Sequence, residues 1–409
     1  MPSSEKPGAF DGILCPFQPV TDPMQEFHIE TPEQLDQLCA RLRGSPWFAL
    51  DTEFVREKTY YPQFCLLQIS NGELAASIDP LALEGLEPLL DILFDPTITK
   101  VFHAGRQDLE IFHLLWGRLP TPLFDTQLAA TLLGLGDQIS YGNLVKKVLE
   151  VELEKGQART DWSRRPLRQV QLRYALDDVV YLGPLYLRLA GKLSELGREH
   201  WLDEDFAQLA DPATYLTDPA RAWQGVKGRQ HLKGGQYAVL QALAAWREME
   251  AVRADRPKRW ILKDEVMIDL ARRQPTHKGQ LEQIRGLEPG FIKKRGDQLL
   301  QRIEQGRQLP REQWPREKAP PPRLTPNQEA LTDLLQCSLR LLAREGRITH
   351  TALASRRDLE RLAAGERDLS LLRGWRRALA GERLLEVLEG TLQPVVCGDG
   401  LRLRQPPPC

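Results

Sequence analysis

The sequence predicts an α/β domain with a mixed sheet followed by two small all-α modules. Three features of its 409 residues carry that expectation. Short apolar segments bounded by turn residues come first, longer segments of helical periodicity follow, and beyond residue 229 only helical patterns remain. Strands gathered ahead of helices, instead of alternating with them, imply a sheet of mixed direction.

Residues 24–208 form the first domain in this reading. Thr31-Pro32-Glu33-Gln34 has the spacing of a capping box with proline in the first turn, so a helix runs from there to about Arg43. WFALDTEF (47–54), FCLLQIS (64–70), ELAASIDP (73–80) and KVFHAG (100–105) read as strands. DLEIFHLLW, DTQLAATLL, GNLVKKVLE and the long PLRQVQLRYALDDVVYLGPLYLRLAGKL supply helices to cover them. Residues 229–306 make the first helical module. Residues 307–326, with Pro310, Pro315, Pro320, Pro321, Pro322 and Pro326 among charges, form a stiff connector. Residues 327–403 make a second helical module weakly similar to the first, and the terminal PPPC is expected to be disordered.

Composition narrows the functional classes. No apolar run approaches the ~18 residues of a membrane span, and the first twenty residues lack a basic segment leading into a long apolar one, so a cytoplasmic protein without membrane contact is expected. Six scattered cysteines, none in a C-x-x-C pair, argue against a zinc cage or a disulfide framework and for reduced, mostly buried thiols. The formal net charge of -1 hides a division: residues 1–210 carry 19 Lys+Arg against 31 Asp+Glu, residues 211–409 carry 36 against 25. An acidic half joined to a basic half suggests that one part grips a polyanion while the other uses carboxylates for chemistry. On that logic, a chain ending near residue 210 should keep the chemistry and lose the grip.

The carboxylates that stand out are few. Asp51-Thr52-Glu53 ends an apolar strand, where charge is costly unless it meets a cation or a partner. Asp108 follows KVFHAG across a short turn and emerges near the same sheet end. Tyr174 and Asp178, four apart in RYALDDVVYL, project from one helical face, while Asp177 points elsewhere. Singly, each has an ordinary explanation as a surface acid or helix-terminal group.

In this order, Asp-x-Glu, Asp and Tyr-x-x-x-Asp closely resemble the three motifs of the DEDDy 3′-to-5′ exonucleases, which have a ribonuclease H-like fold. DTEFVREKTYYPQFCLLQIS, KVFHAGRQDLEIF, FDTQLAATLLG and DWSRRPLRQVQLRYALDDVVYL resemble the bacterial ribonuclease D family segment by segment. Residues 237–302 look like an HRDC domain, a helical nucleic-acid-binding module, and LASRRDLERLAAG with LLRGWRRALAGERLLEVLEG resembles the second, degenerate HRDC domain of the same family.

The resemblance implies a metal-dependent exoribonuclease that releases nucleoside 5′-monophosphates from RNA 3′ ends, tRNA precursors among them. It implies two divalent ions, Mg²⁺ or Mn²⁺: Asp51 bridging both, Glu53 and Asp178 completing one site, Asp108 supporting the other, and Tyr174 orienting the attacking water. Hard divalent cations suit such a set because they relieve the repulsion among clustered carboxylates. A DNA exonuclease and a catalytically silent RNA-binding adaptor are the competing readings; the complete set of five residues argues against the adaptor.

Around this set, Phe54, Arg56, Tyr60 and Tyr61 are candidates to stack on a terminal base or contact phosphate. His103 is a packed histidine with at most an indirect role, Asp125 a helix cap, and Asp161 a surface acid. Arg256, Lys258, Arg259, Arg272, Arg273, Lys293, Lys294 and Arg295 supply phosphate-neutralising charge, while Trp246 and Trp260 belong to the apolar core of the helical module.

Overall fold

A computed structural model describes residues 24–154, 156, 160–316, 323–398 and 400–406. Cys15 and the rest of the N-terminal segment, linker prolines Pro320, Pro321 and Pro322, and the end of the tail with Cys409 lie outside the described residues.

The first domain opens with β1 (Gln25–Ile29) and α1 (Pro32–Leu42), whose start is the expected capping box: Gln34 N–H donates to Thr31 Oγ1, and the Gln34 side chain accepts from the Thr31 N–H. Strands β2 (Trp47–Val55), β3 (Gln63–Ser70) and β4 (Leu74–Ile78) follow, then α2 (Glu87–Leu93), β5 (Thr99–Phe102), α3 (Arg106–Trp116), β6 (Leu123–Asp125), α4 (Thr126–Leu132) and α5 (Tyr141–Leu149). The long helical segment divides into α6 (Gln169–Val180) and α7 (Leu182–Glu195), with α8 (Asp203–Leu209) after it. The six strands lie in the order β1-β4-β3-β2-β5-β6. β1 with β4, β2 with β5 and β5 with β6 are parallel, whereas β3 with β4 is antiparallel, so the sheet is mixed as expected. β1 and β6 are two strands beyond those read from the sequence; each is too short to show a clear pattern.

Alternation along β2 divides its side chains between two layers. Trp47 and Ala49 join Val101, Leu176, Val179 and Leu182 in a core beneath α6 and α7. Phe48 and Leu50, also fully buried, take the other face. Gly183 lets α7 sit on the Trp47 ring: a Cβ there would lie 2.3 Å from the indole.

The helical region after residue 210 contains α9 (Gln236–Ala254), α10 (Lys258–Ile261), α11 (Asp264–Arg273), α12 (Lys278–Leu281) and α13 (Pro289–Gln308). They surround a core of Val239, Leu243, Trp246, Met267, Leu270, Leu299 and their neighbours. Gly306 permits the tight approach of α13 to α9, since a Cβ would stand 2.5 Å from the Val239 Cα. Trp246 is buried, as expected, but Trp260 is 57% exposed and lies outside that core. In the single turn of α10, Ile261 and the following Leu262 take the inward direction, which leaves the Trp260 ring outside.

Contacts divide the chain into two units that the linear order does not announce. One joins residues 54–64 to 215–322; the other joins the remainder of the first domain to the C-terminal region from Arg323 onward. That C-terminal region comprises α14 (Pro326–Glu345), α15 (His350–Leu353), α16 (Arg356–Ala363), α17 (Gly374–Arg376) and α18 (Glu382–Glu389), followed by strands β7 (Gln393–Cys397) and β8 (Gly400–Arg404). The expectation of an all-α module therefore fails at its end, where β7 and β8 pair antiparallel from Cys397 opposite Gly400.

The C-terminal region packs into the first domain's unit. Leu335, Leu339, Leu342 and Leu359 belong to one continuous core with Ala129, Leu132, Leu144, Val148, Leu185 and Leu189 of α4, α5 and α7. The Arg198 guanidinium donates to the carbonyls of Leu132 and Gly346 at 2.9 and 2.5 Å, and the Trp201 and Trp375 rings stack at 4.4 Å. Thr349 N–H donates to the Thr131 carbonyl at 3.1 Å, carrying a main-chain link across the same seam. Cys39 and Cys65 are buried free thiols, and Cys337 and Cys397 are half-buried ones. No helix among the described residues is long and apolar enough to cross a membrane.

Removing everything after residue 210 would uncover the apolar faces of α4, α5 and α7. Such a chain should aggregate or melt well below the full-length protein. Within the full chain, Leu339→Ala should cost ~2–5 kcal/mol of stability, measured by urea denaturation, because its side chain is fully buried in the shared core. A truncated protein with an unchanged melting temperature would contradict the shared core.

Candidate active site

The site forms where β2 ends. Asp51 and Glu53 are two apart on that strand and so project toward the same layer, beneath α6 and α7. On α6 the four-residue spacing of Tyr174 and Asp178 presents both toward them. Carboxylate oxygens of Asp51, Glu53 and Asp178 lie within 4.8 Å of one another. These three, with Thr52, His103, Tyr141, Tyr174 and Leu182, line an open cleft of about 220 Å³. That is several times the roughly 30 Å³ share of a water molecule, so the carboxylates face a space that admits cations, water and a strand end.

Asp108 stands apart from the trio. It is buried in the first turn of α3, and its Oδ1 accepts from the Thr52 N–H at 3.1 Å and from the Thr52 hydroxyl at 2.5 Å. Thr52, the middle residue of Asp-x-Glu, thus points opposite to its neighbours along the pleat and ties α3 to β2. Its role was not legible in the motif, because the middle position is free in the pattern.

The turn leading to Asp108 is held from another side. Ala104 has a left-handed backbone, φ 56°, an unfavourable conformation for a residue with a Cβ. Asp125 stabilises it: its carboxylate accepts from the Ala104 and Gly105 N–H groups at 3.2 and 2.9 Å, and also caps α4 through Gln127 and Leu128. The cap reading of Asp125 was right and incomplete. His103 lines the cleft, yet both ring nitrogens are engaged, Nδ1 with the Thr126 hydroxyl at 2.9 Å and Nε2 with the Ile139 carbonyl at 3.0 Å. Burial keeps its pKa below the ordinary imidazole value, so it is a neutral packing group.

Tyr141 was missed by sequence reasoning. Its hydroxyl donates to the Asp177 carbonyl at 2.8 Å, fastening α5 to the turn of α6 that carries Asp178. Asp177 itself points away, paired with Arg173 at 2.7 Å. The entry to α6 is anchored by Arg165, which bonds the buried Asp79 carboxylate and the Cys65 carbonyl at 2.7 Å each. Trp162, fully buried, packs behind Tyr174 with ring centroids 6.3 Å apart. Asp161 is an exposed acid bonded to Ser163 and Arg164, as expected.

Electrostatics explain why this set needs a cation. Burial pushes Glu53 up to about 9, with Asp178 and Asp108 adding to it, and pushes Asp178 up to about 7, with Asp177 and Asp108 contributing. Burial lifts Asp108 to about 6 against the lowering effect of the Thr52 bonds, and raises Asp51 well above the carboxylate range, with the other three acids contributing. Among the described residues no Lys or Arg forms an ion pair with any of the four. Oxygen-only donors, several charges and missing cationic side chains fit hard divalent metal ions. His28, Glu30 and Asp79 also converge within 4.8 Å, but Arg165 already neutralises Asp79 there.

The substrate candidates next to Glu53 have other partners. Tyr60 is buried; its hydroxyl bonds Glu248, and its N–H donates to Asp255 at 2.9 Å. Arg56 Nε donates to the Tyr60 carbonyl at 3.0 Å. Tyr60 is therefore packing, contrary to the stacking role expected of it, because a buried phenol needs a partner and Glu248 provides one. Phe54 is half-buried, while Arg56 and Tyr61 are exposed.

Comparison with known proteins agrees with this geometry. A 3′-5′ exonuclease family model matches residues 27–194, and an HRDC domain model matches residues 236–303. The chain is 40% identical over 380 residues to ribonuclease D of Sphingobium indicum, covering 92% of this chain and 97% of that one. It is also 40% identical to ribonuclease D of Zymomonas mobilis, with 88% and 93% covered. Among solved structures it superposes on Escherichia coli RNase D, described as an exoribonuclease involved in structured RNA processing, with a TM-score of 0.74 and 34% identity, covering 90% of this chain and 99% of that chain. The catalytic core of RRP6 from Trypanosoma brucei gives a TM-score of 0.55 at 26% identity, with 72% and 82% covered.

Two measurements test the site. Raised carboxylates hold protons that the unfolded chain, with values near ~4, gives up, so the folded state binds more protons and stability falls as pH rises. Metal-free protein should therefore lose melting temperature between about pH 5 and pH 9, the window set by shifts to about 6, about 7 and about 9, and added Mg²⁺ should remove most of that loss. Separately, Thr52→Val deletes one of two donors to Asp108 while keeping shape. Calorimetric titration should show Mn²⁺ affinity reduced about tenfold, the equivalent of a ~1.5 kcal/mol charged hydrogen bond; unchanged affinity would detach Thr52 from the site.

Proposed function

Since the chain belongs to the ribonuclease D family, we propose that this cleft hydrolyses RNA from its 3′ end, one nucleotide at a time, releasing nucleoside 5′-monophosphates. The observation that carries this reading is the convergence of Asp51, Glu53 and Asp178 within 4.8 Å, beside Tyr174, in an open cleft. Divalent cations are the cofactor; in our reading there would be two, Mg²⁺ or Mn²⁺, held by Asp51, Glu53 and Asp178 with Asp108 beside them. When bound, they supply Lewis-acid activation of water and neutralise charge on the departing 3′ oxygen.

The protein's own groups provide position. Burial pushes the Tyr174 phenol up, and Asp178, Glu53 and Asp51 add to that rise, so it is a hydroxyl at neutral pH. It acts by hydrogen-bonding the attacking water in line with the scissile bond, a contribution of geometry instead of proton abstraction. Trp162 behind its ring and the Tyr141 bond to the Asp177 carbonyl limit the movement of α6, keeping Tyr174 and Asp178 in register with β2. Water oxygen bonds to phosphorus and gives up a proton to solvent, the bond from phosphorus to the penultimate nucleotide's 3′ oxygen breaks, and that oxygen takes a proton from solvent, so the shortened strand keeps a 3′ hydroxyl for another round.

The helical regions extend the reading to structured substrates, with tRNA precursors bearing 3′ extensions as the proposed class. α14, α15 and α16 repeat the succession of α9, α10 and α11: a long helix, a single turn and a short helix. On that basis residues 327–403 are a second, degenerate HRDC-like domain.

Asp51→Asn or Asp178→Asn should abolish cleavage while leaving RNA binding largely intact, since each loses charge and keeps size. Tyr174→Phe should lower turnover by roughly 10² or more at similar substrate affinity. The assay is a time course on 5′-labelled RNA with Mg²⁺ or Mn²⁺, which should show a ladder shortening from the 3′ end. Cuts within circular RNA would overturn the exonuclease reading, and matched DNA oligomers degraded faster than RNA would favour the DNA alternative.

A further inference from the structure

We infer that Trp260, on the outer surface of the HRDC domain, is a stacking platform for an unpaired nucleobase of single-stranded RNA, with Arg256 and Arg259 beside it to meet phosphate. The inference rests on the exoribonuclease reading for the identity of its ligand.

An exposed tryptophan is not informative alone, because folded proteins expose much apolar surface. Its surroundings are informative. Trp260 is 57% exposed on the one-turn helix α10, and the Arg256 guanidinium carbon lies 5.7 Å from its ring centroid. That arrangement sets a cation over one face of the ring and leaves Trp260 more than half exposed. Arg256, Lys258, Arg259 and Lys263 are all exposed in the same short stretch.

The nearby acids do not cancel this charge. Asp255 Oδ1 accepts from the N–H groups of Tyr60 and Tyr61 at 2.9 and 3.1 Å. Glu248 bonds the Tyr60 hydroxyl and pairs with Lys258 at 2.8 Å. Asp264 accepts from Arg247 at 2.6 Å and from the Lys227 N–H at 3.0 Å. Each carboxylate is thus engaged internally, whereas Arg256 and Arg259 form no ion pair among the described residues.

An aromatic face with the Arg256 guanidinium over it, and an exposed Arg259 next to it in the chain, fits a polyanion whose bases are unstacked. Stacking tolerates any base, while the arginines meet phosphate. Duplex RNA hides its base faces and would use only the charge. The Tyr61 ring, 37% exposed and tied by its backbone to Asp255, offers a second aromatic surface in the same unit.

The test uses full-length protein carrying Asp51→Asn, so that bound RNA persists, and fluorescence anisotropy with a labelled unstructured oligoribonucleotide at several salt concentrations. Adding Trp260→Ala should weaken binding roughly fivefold or more with the log-log salt slope unchanged, and Trp260→Phe should restore most of the affinity. Arg259→Ala should instead flatten the slope by about 0.7. Binding by Trp260→Ala equal to the parent, or a loss that phenylalanine does not restore, would overturn the proposal. A failed exonuclease reading remains distinguishable. If wild-type protein degrades no RNA, the function falls while the binding comparison still reads on Trp260.

Discussion

Four carboxylates gathered at one end of a sheet, with no basic side chain among the described residues paired to them, set the terms for the structure around them. Like charges in a half-buried cleft repel, so the local fold must hold them by bonds that do not depend on the acids attracting one another. Thr52 holds Asp108 from β2, Asp125 holds the turn before α3, Tyr141 holds the end of α6 and Arg165 its approach. Each fastening reaches an element that carries an acid and, among the described residues, leaves the cleft-facing carboxylates without a cationic side-chain partner. The result is a site preorganised for cations, in which α6 brings Tyr174 alongside by helical spacing alone.

The same logic accounts for the C-terminal region. α4, α5 and α7 stand behind the site, and their outer faces are apolar. A sheet domain of this size leaves those faces uncovered on its own; α14, α15 and α16 cover them, and Arg198 bonds carbonyls on both sides of the seam. The division of charge near residue 210 therefore lies beside one unit boundary, at 214/215, but misses the return of the chain from Arg323 onward to the first unit. Charge reports on partners, whereas burial decides which segments fold together.

The residues next to Glu53 illustrate how position in the chain can mislead. Proximity to the motif made Tyr60 a candidate for substrate, but its hydroxyl, once buried, took the nearest strong acceptor, Glu248. Trp260 shows the converse. Arg-Trp-Ile-Leu looks like core in a linear reading, yet a single helical turn cannot turn three successive large side chains inward, and Ile261 with Leu262 took that direction.

The four acids and the tyrosine, the mixed α/β class, the capping box at Thr31 and the helical character of residues 229–306 were legible in the sequence because each depends on local spacing: two residues along a strand, four along a helix, three across a cap. Motif order alone pointed to the exonuclease family that the comparisons show. Thr52, Tyr141 and the second role of Asp125 were not legible, because they act on residues tens of positions away. The extra strands β1 and β6, the hairpin of β7 and β8, the core shared by α4, α5, α7 and α14, and the exposure of Trp260 were likewise decided by tertiary structure. Short segments gain strand character only from a neighbour's hydrogen bonds, and an apolar side chain is buried only if another element arrives to cover it.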